Sequence, residues 1–154
     1  MDVEKRRYIL RLCGNSLFIA YLLALIYFMF FSDFYGRTQV MTEYHYNLRP
    51  FREILRFIRY RETIGSVRVM LNLAGNVLGF IPFGFFVPMH FRKTRKWNIV
   101  LLLSMEFSIV IEVLQLLLKV GSCDVDDVLL NTLGGVLGYF CYFLVQQIRR
   151  KHHG

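Results

Sequence analysis

The stretch that decides the fold is Trp97–Leu118, WNIVLLLSMEFSIVIEVLQLLL. Its 22 residues carry two ionisable side chains, Glu106 and Glu112. At 1.5 Å per residue a helix of that length reaches about 33 Å, enough to cross a ~30 Å hydrocarbon slab. Three further runs match it: Leu12–Ser32, Val69–Met89 and Val128–Ile148, each of 21 residues and free of Asp, Glu, Lys and Arg. Together the four take more than half of the 154 residues. Too little chain is left for a separate water-soluble core. The apolar share of 55% points the same way, against roughly 45–50% in ordinary soluble domains. A cytosolic enzyme, a secreted disulfide scaffold and a disordered tail are excluded. The expected architecture is all-α: one domain over 1–154, a four-helix polytopic membrane bundle.

The net charge of +8 raises the question of a nucleic-acid partner. Here the basic residues sit at the edges of the spans, where topology and anionic lipid account for them, so none is expected. Lys5, Arg6, Arg7 and Arg11 precede the first span, which is too long for a cleaved signal segment. Arg92, Lys93, Arg95 and Lys96 join the second and third, and Arg149, Arg150 and Lys151 follow the fourth. Lys119–Asp127, on the other side, holds one basic residue and three acids. The positive-inside rule then places both termini in the cytoplasm of a cell-membrane protein. The loop Asp33–Arg68, with seven arginines on the outer side, is the exception.

That loop contains PFREILRFIRYR from Pro50. Phe51, Ile54, Leu55 and Ile58 fall on one helical stripe, and Arg52, Arg56 and Arg59 on another. An amphipathic interfacial helix is expected over about 50–61, with Pro50 in its first turn. Its arginines suit phosphate, which a guanidinium fork binds bidentately. A plain membrane anchor is the simpler reading.

Polar side chains inside spans are costly and usually face a bundle interior or a wet cavity. Asn72 and Asn76 enter from outside on the second span, Glu112 and Gln115 leave on the third, and Asp124, Asp127 and Asn131 enter on the fourth. At 1.5 Å per residue, Asn76, Glu112 and Asn131 share a depth of roughly 10 Å. A common outer-leaflet cleft is the expectation, with Pro82 and Pro88 interrupting the second helix. Gly75/Gly79 and Gly134/Gly138 read as close-packing faces, and the amides alone could be interhelical glue. The acids Glu112, Asp124, Asp126 and Asp127 each need an arginine, a proton or a hard cation. Glu106 sits apart from them, without a role. The cysteines Cys13, Cys123 and Cys141 and the four histidines show no metal-ligand spacing, so no metal or cofactor is expected. No GxSxG, HExxH or P-loop occurs.

Three blocks, YNLRPFREI (Tyr46–Ile54), NLAGNVLGFIPFGFFVP (Asn72–Pro88) and IEVLQLLLKVGSCDVDDVLLNTLGGVLGY (Ile111–Tyr139), resemble the VanZ-like membrane proteins in order and spacing. The family's recurrent positions fall here on Asn47, Pro50, Phe51, Asn72, Gly75, Asn76, Pro82, Gly84, Glu112, Gln115, Asp124, Asp127, Asn131, Gly134 and Gly138. Many members carry a Gly-Arg pair after the third span, where this chain has Gly121-Ser122. The resemblance implies an envelope role linked to low-level resistance to teicoplanin, a glycopeptide with a lipid tail.

The leading expectation is a non-enzymatic protein binding an amphiphile: a lipid-linked cell-wall precursor, an anionic lipid or a lipoglycopeptide. Arg52, Arg56 and Arg59 meet phosphate. Asn72, Asn76, Gln115 and Asn131 bond the headgroup. Glu112, Asp124 and Asp127 hold the arginines or a cation. The alternatives are an intramembrane enzyme using Glu112 or Asp127 as base on a lipid headgroup, and a helix-packing subunit of an envelope complex.

Overall fold

The computed structural model describes residues 3–31, 42–60 and 66–153. Five helices and one short strand pair make up the described chain: α1 (Val3–Phe31), β1 (Tyr46–Asn47), α2 (Arg52–Arg59), α3 (Ser66–His90), α4 (Trp97–Leu118), β2 (Cys123–Asp124) and α5 (Val125–His153). A single 3₁₀ turn, Arg92–Thr94, joins α3 to α4. Four helices are long and apolar enough to cross a membrane, over Arg11–Phe31, Leu73–His90, Trp97–Leu118 and Val125–Lys151. The chain is an all-α, multi-pass membrane bundle. The helices α1, α3 and α5 extend past their apolar runs into charged residues, while α4 keeps the bounds of its run.

The helices run alternately up and down. Gly14 near the start of α1 faces Met89 and His90 at the end of α3, while the carbonyl of Met29, late in α1, accepts from Gln115, late in α4. Glycine sets the tightest seam. A Cβ on Gly134 would stand 2.1 Å from the Val77 carbonyl oxygen, on Gly138 2.0 Å from that of Ile81, and on Gly84 1.8 Å from that of Gly135. Backbone therefore lies on backbone along α3 and α5, the contact that small residues permit. Around this seam Phe80, Ile111, Leu25 and Met29 form the buried apolar cluster, and Phe83 stacks on Phe107 at 5.0 Å between centroids.

Two expectations are corrected. The helix α3 runs through Pro82 and Pro88 without interruption. Each proline removes one N–H, and a helix pressed against α5 keeps its remaining ladder. At its end the turn supplies donors, with Thr94 Oγ1 on the Val87 carbonyl at 3.1 Å and Arg95 Nε on that of Pro88 at 3.3 Å. Pro50 is not in the first turn of α2. It occupies the second position of a tight turn closed by the Arg52 N–H on the Arg49 carbonyl at 3.4 Å, and Phe51 follows at φ 64°, ψ 4°. That is type II geometry, with proline at its second position and a left-handed residue at its third. The helix then opens at Arg52 because a carboxylate from α5 fixes its first amides there. One element was not foreseen at all: β1 pairs in parallel with β2, Tyr46 opposite Cys123 and Asn47 opposite Asp124.

Candidate functional site at the α4–α5 rim

The end of the bundle away from the termini gathers α2, the strand pair, the end of α4 and the start of α5. Its centre is Asp124. The carboxylate Oδ1 of Asp124 accepts the Asp126 N–H at 2.9 Å, the side-chain-to-N2 bond that caps a helix start. The same oxygen accepts Asn47 Nδ2 at 3.1 Å, and the Asp124 N–H donates to Glu112 Oε2 at 2.9 Å. One residue thus starts α5, fastens β1 and is held by α4.

Asp126 is 1% exposed and grips the arm. Its two oxygens accept the main-chain N–H groups of Phe51, Glu53 at 2.8 Å and Ile54 at 3.1 Å. These are donors at the N-terminus of α2, where a helix leaves amides unpaired and favours negative charge. Sequence reading counted Asp126 among the rim acids but gave it no site role. The one signal was a third carboxylate between two better-spaced ones.

The other expected residues fall in two groups. Asn76 donates through Nδ2 to Asp127 Oδ1, tying α3 to α5. Deeper, Asn131 Nδ2 donates to Ser108 Oγ at 2.8 Å; nearer the rim, Gln115 Nε2 donates to the Met29 carbonyl at 2.8 Å. Asn131 and Gln115 therefore pin helices to one another, through partners other than the rim acids. The side chain of Asn72 lies outside the described ones. Among the described residues, no group of three His, Cys, Asp or Glu side chains is arranged to hold a metal ion.

The arginines form a separate surface. Arg52, Leu55, Arg56, Arg59 and Tyr60 line an open groove of about 290 Å³. Arg56 Nη2 lies 2.9 Å from Glu53 Oε2 on the same helix. The expected pairing of rim acids with arginines thus takes another form: Asp124 and Asp126 fasten the arm through amides, and Glu53 takes the arginine. A carboxylate that can satisfy three main-chain N–H groups in one place gains more from them than from an exposed guanidinium.

Burial pushes the Asp124 carboxyl above the usual aspartate range, with the Asp126 amide and Asn47 opposing and Arg56 opposing more weakly. Burial likewise raises Glu53, against the pull of Arg56. The Cys123 thiol is pushed up by burial and then by the charges of Glu112 and Asp124. It rests as a thiol, the opposite of an activated nucleophile.

The turn from α4 adds a second left-handed residue. Lys119 has φ 55°, with its N–H on the Leu116 carbonyl and that of Val120 on Gln115, both at 3.1 Å. This is a Schellman ending with lysine where glycine is usual. The lysine has its own contacts: Nζ donates to the Thr42 carbonyl at 3.3 Å and sits 4.6 Å from the Tyr44 ring centroid.

The VanZ/LLP1 family model matches residues 18–146. Protein VanZ of Enterococcus faecium is 32% identical over 140 residues, covering 87% of this chain and 76% of that protein. No solved structure matches the chain. The three sequence blocks carry the strand clip, the glycine seam and the capped start of α5, and with these matches the chain belongs to the VanZ/LLP1 family.

Proposed function

We propose that this chain is a non-enzymatic membrane protein of the cell envelope that binds an amphiphile at its outer face and thereby contributes to glycopeptide resistance. Both termini are cytoplasmic in this reading, and the arm lies at the outer leaflet. The observation that carries it is the groove of Arg52, Arg56 and Arg59 with Leu55 and Tyr60, which sets phosphate-binding forks beside apolar surface. Glu112, Asp124, Asp127 and Asn76 act by holding the arm and its neighbours in place. Asn131 and Gln115 keep the helices beneath in register. A lipid-linked precursor, an anionic lipid and a lipoglycopeptide such as teicoplanin all have the required polar head and apolar tail.

The test is drug susceptibility in a sensitive host expressing the chain. Wild type should raise the inhibitory concentration of teicoplanin more than that of vancomycin, which lacks the lipid tail. The triple variant Arg52→Gln/Arg56→Gln/Arg59→Gln should lose that effect at equal membrane abundance. Full resistance in the triple variant would remove the groove from the mechanism.

A further inference from the structure

We infer that the outward face of α4 is an interface for a second copy of this chain, in which the two Glu106 carboxyl groups meet and bond each other in mid-membrane. Glu106 is the tenth residue of the 22-residue span Trp97–Leu118. At 1.5 Å per residue it lies about 13 Å from one end and about 18 Å from the other, too deep for so short a side chain to reach either interface. It is nevertheless exposed on the surface of the bundle. Among the described residues it has no hydrogen-bond or ion-pair partner. The face that α4 turns to its own bundle carries Ser104, Ser108, Ile111 and Gln115, all buried. Two residues beyond Ser104 is roughly 200° around the helix, so Glu106 points away from that packing. An ionisable group at this depth is costly and is found facing a bundle interior or a wet cavity. The described chain supplies neither for Glu106; a protein surface laid over α4 from outside does.

The neighbours of Glu106 form a seam. Leu102, Glu106, Ile109 and Val113 are spaced at intervals of four, three and four, the repeat of a left-handed helix pair and the commoner crossing in membranes. The three apolar members are 43–48% exposed, so the stripe is open along its length. A single polar position in such a seam fixes register and the number of strands. Lipid tails are as apolar as leucine, so helices in a bilayer associate through close packing and interhelical hydrogen bonds. A carboxyl within the stripe supplies the bond that an all-apolar stripe lacks.

The occupant follows from depth and charge. Two copies inserted in the same sense are related by a two-fold axis along the membrane normal, and a two-fold contact is made by the same patch on both. Each residue of the seam then meets its own equivalent at its own depth. This holds whichever side the termini occupy, so the inference stands apart from the amphiphile reading. Opposite Glu106 comes the partner subunit's Glu106. A carboxyl is complementary to itself in this setting. One proton held between the two groups gives a donor to the other's acceptor, and it leaves one net charge where two separate carboxylates would leave two. A foreign helix has to bring a cation or a polar group to the same depth; the two-fold axis brings one with no further requirement.

The experiment reconstitutes the full chain, as donor- and acceptor-labelled copies, into phosphatidylcholine vesicles and reads the dimer fraction by energy transfer as the protein-to-lipid ratio is lowered. Wild type should dimerise. Glu106→Leu keeps the bulk and removes the hydrogen bonds, and should weaken the dimer roughly tenfold, the ratio expected of interhelical bonding in a bilayer. Glu106→Gln, whose amide is both donor and acceptor, should retain it. Both variants change an outward residue, so the melt of the monomer in detergent should match wild type. A second measurement locates the face. In a background of Cys13→Ser, Cys123→Ser and Cys141→Ser, Ile109→Cys should give a disulfide-linked dimer on mild oxidation. Leu137→Cys, exposed on α5, should not. A wild type that stays monomeric, a dimer that Glu106→Leu leaves intact, or linkage through Leu137→Cys in place of Ile109→Cys each overturns the interface. A different membrane protein held at fixed ratio by monomeric wild type, and lost from Glu106→Leu, overturns the second copy as occupant.

Discussion

Replacing Asp126 by alanine should release the arm while leaving the bundle folded. The carboxylate accepts three main-chain N–H groups, those of Phe51, Glu53 and Ile54. A hydrogen bond to a charged partner contributes about 1.5–3 kcal/mol. Bonds to one carboxylate share its charge and do not add fully, so docking should weaken by about 3–5 kcal/mol. At 1.4 kcal/mol per tenfold, that is roughly 10² to 4 × 10³ in the docked population. The helix has eight residues, below the length at which a helix holds itself in water. Hydrogen exchange resolved to single amides is the assay. Protection at Phe51, Glu53 and Ile54 should fall by about that factor, and at Leu55, whose N–H bonds the Phe51 carbonyl at 2.9 Å, nearly as far. Amides of the α3–α5 seam should be unchanged. Asp126→Asn, which keeps one carbonyl oxygen as acceptor, should fall between. If Asp126→Ala left exchange at Glu53 and Ile54 as in wild type, the arm would be held by something other than this carboxylate.

Alanine at Gly84, Gly134 or Gly138 should lower the unfolding temperature in detergent, by at least the 1–3 kcal/mol typical of overpacking, since each new Cβ would meet a carbonyl oxygen at 1.8–2.1 Å. Gly79→Ala should be tolerated, its nearest neighbour being Leu25 Cδ1 at 3.6 Å. The raised Asp124 carboxyl makes the fold take up a proton more readily than the unfolded chain. Its stabilising effect is therefore present below the ordinary aspartate value of about 3.9 and lost as pH rises through the folded value. Asp124→Asn keeps Oδ1 as acceptor and should flatten that dependence in a thermal melt taken from about pH 4 to 8, matching or exceeding wild type at the upper end; a lower midpoint there would show that the charge is required. Lys119→Gly should relieve the left-handed backbone, which costs a residue with a Cβ about 1–2 kcal/mol, yet cut the link to Thr42 and Tyr44. Faster exchange around His45–Asn47 with an unchanged bundle melt is the expected signature.

The spans were legible because a bilayer leaves the backbone so few choices: twenty-odd apolar residues without charge have one stable form. The arginine face was legible for a similar reason, since spacing of 3.6 residues decides which side chains share a side. Gly134 and Gly138 announced a close seam, although only coordinates name Val77 and Ile81 as what they touch. The strand clip left no trace. Two residues on each strand have no periodicity to read, and Asn47 meets Asp124 across 77 positions. Asp126 was hidden differently. In the run Asp124-Val125-Asp126-Asp127 helical spacing favours the outer two, which align with Asn131, and only the docking of α2 singles out the middle one. Helix rotation likewise decided the amides: Asn131 and Gln115, read as headgroup contacts, point at Ser108 and Met29.

Among the described residues, the two non-glycine residues with positive φ bracket this arrangement. Phe51 introduces the arm and Lys119 leads into the strand that pairs beside it. Each is a place where glycine would sit more easily, and each is held by contacts across the rim, through Asp126 for Phe51 and through Thr42 and Tyr44 for Lys119. Local strain of this kind persists only where surroundings over-determine it. The rim is therefore a polar assembly fastened onto a bundle whose own cohesion comes from glycine contacts and the Phe80–Ile111 cluster. That division separates two kinds of lesion. Substitutions in the glycine seam should lower stability and every binding property together. Substitutions in the clip or at Asp126 should misplace Arg52, Arg56 and Arg59 while the helices melt as before. Under the proposed function, a short ligand-binding helix fastened by the rim carboxylates Asp124 and Asp126 can change its ligand without rebuilding the bundle that carries it.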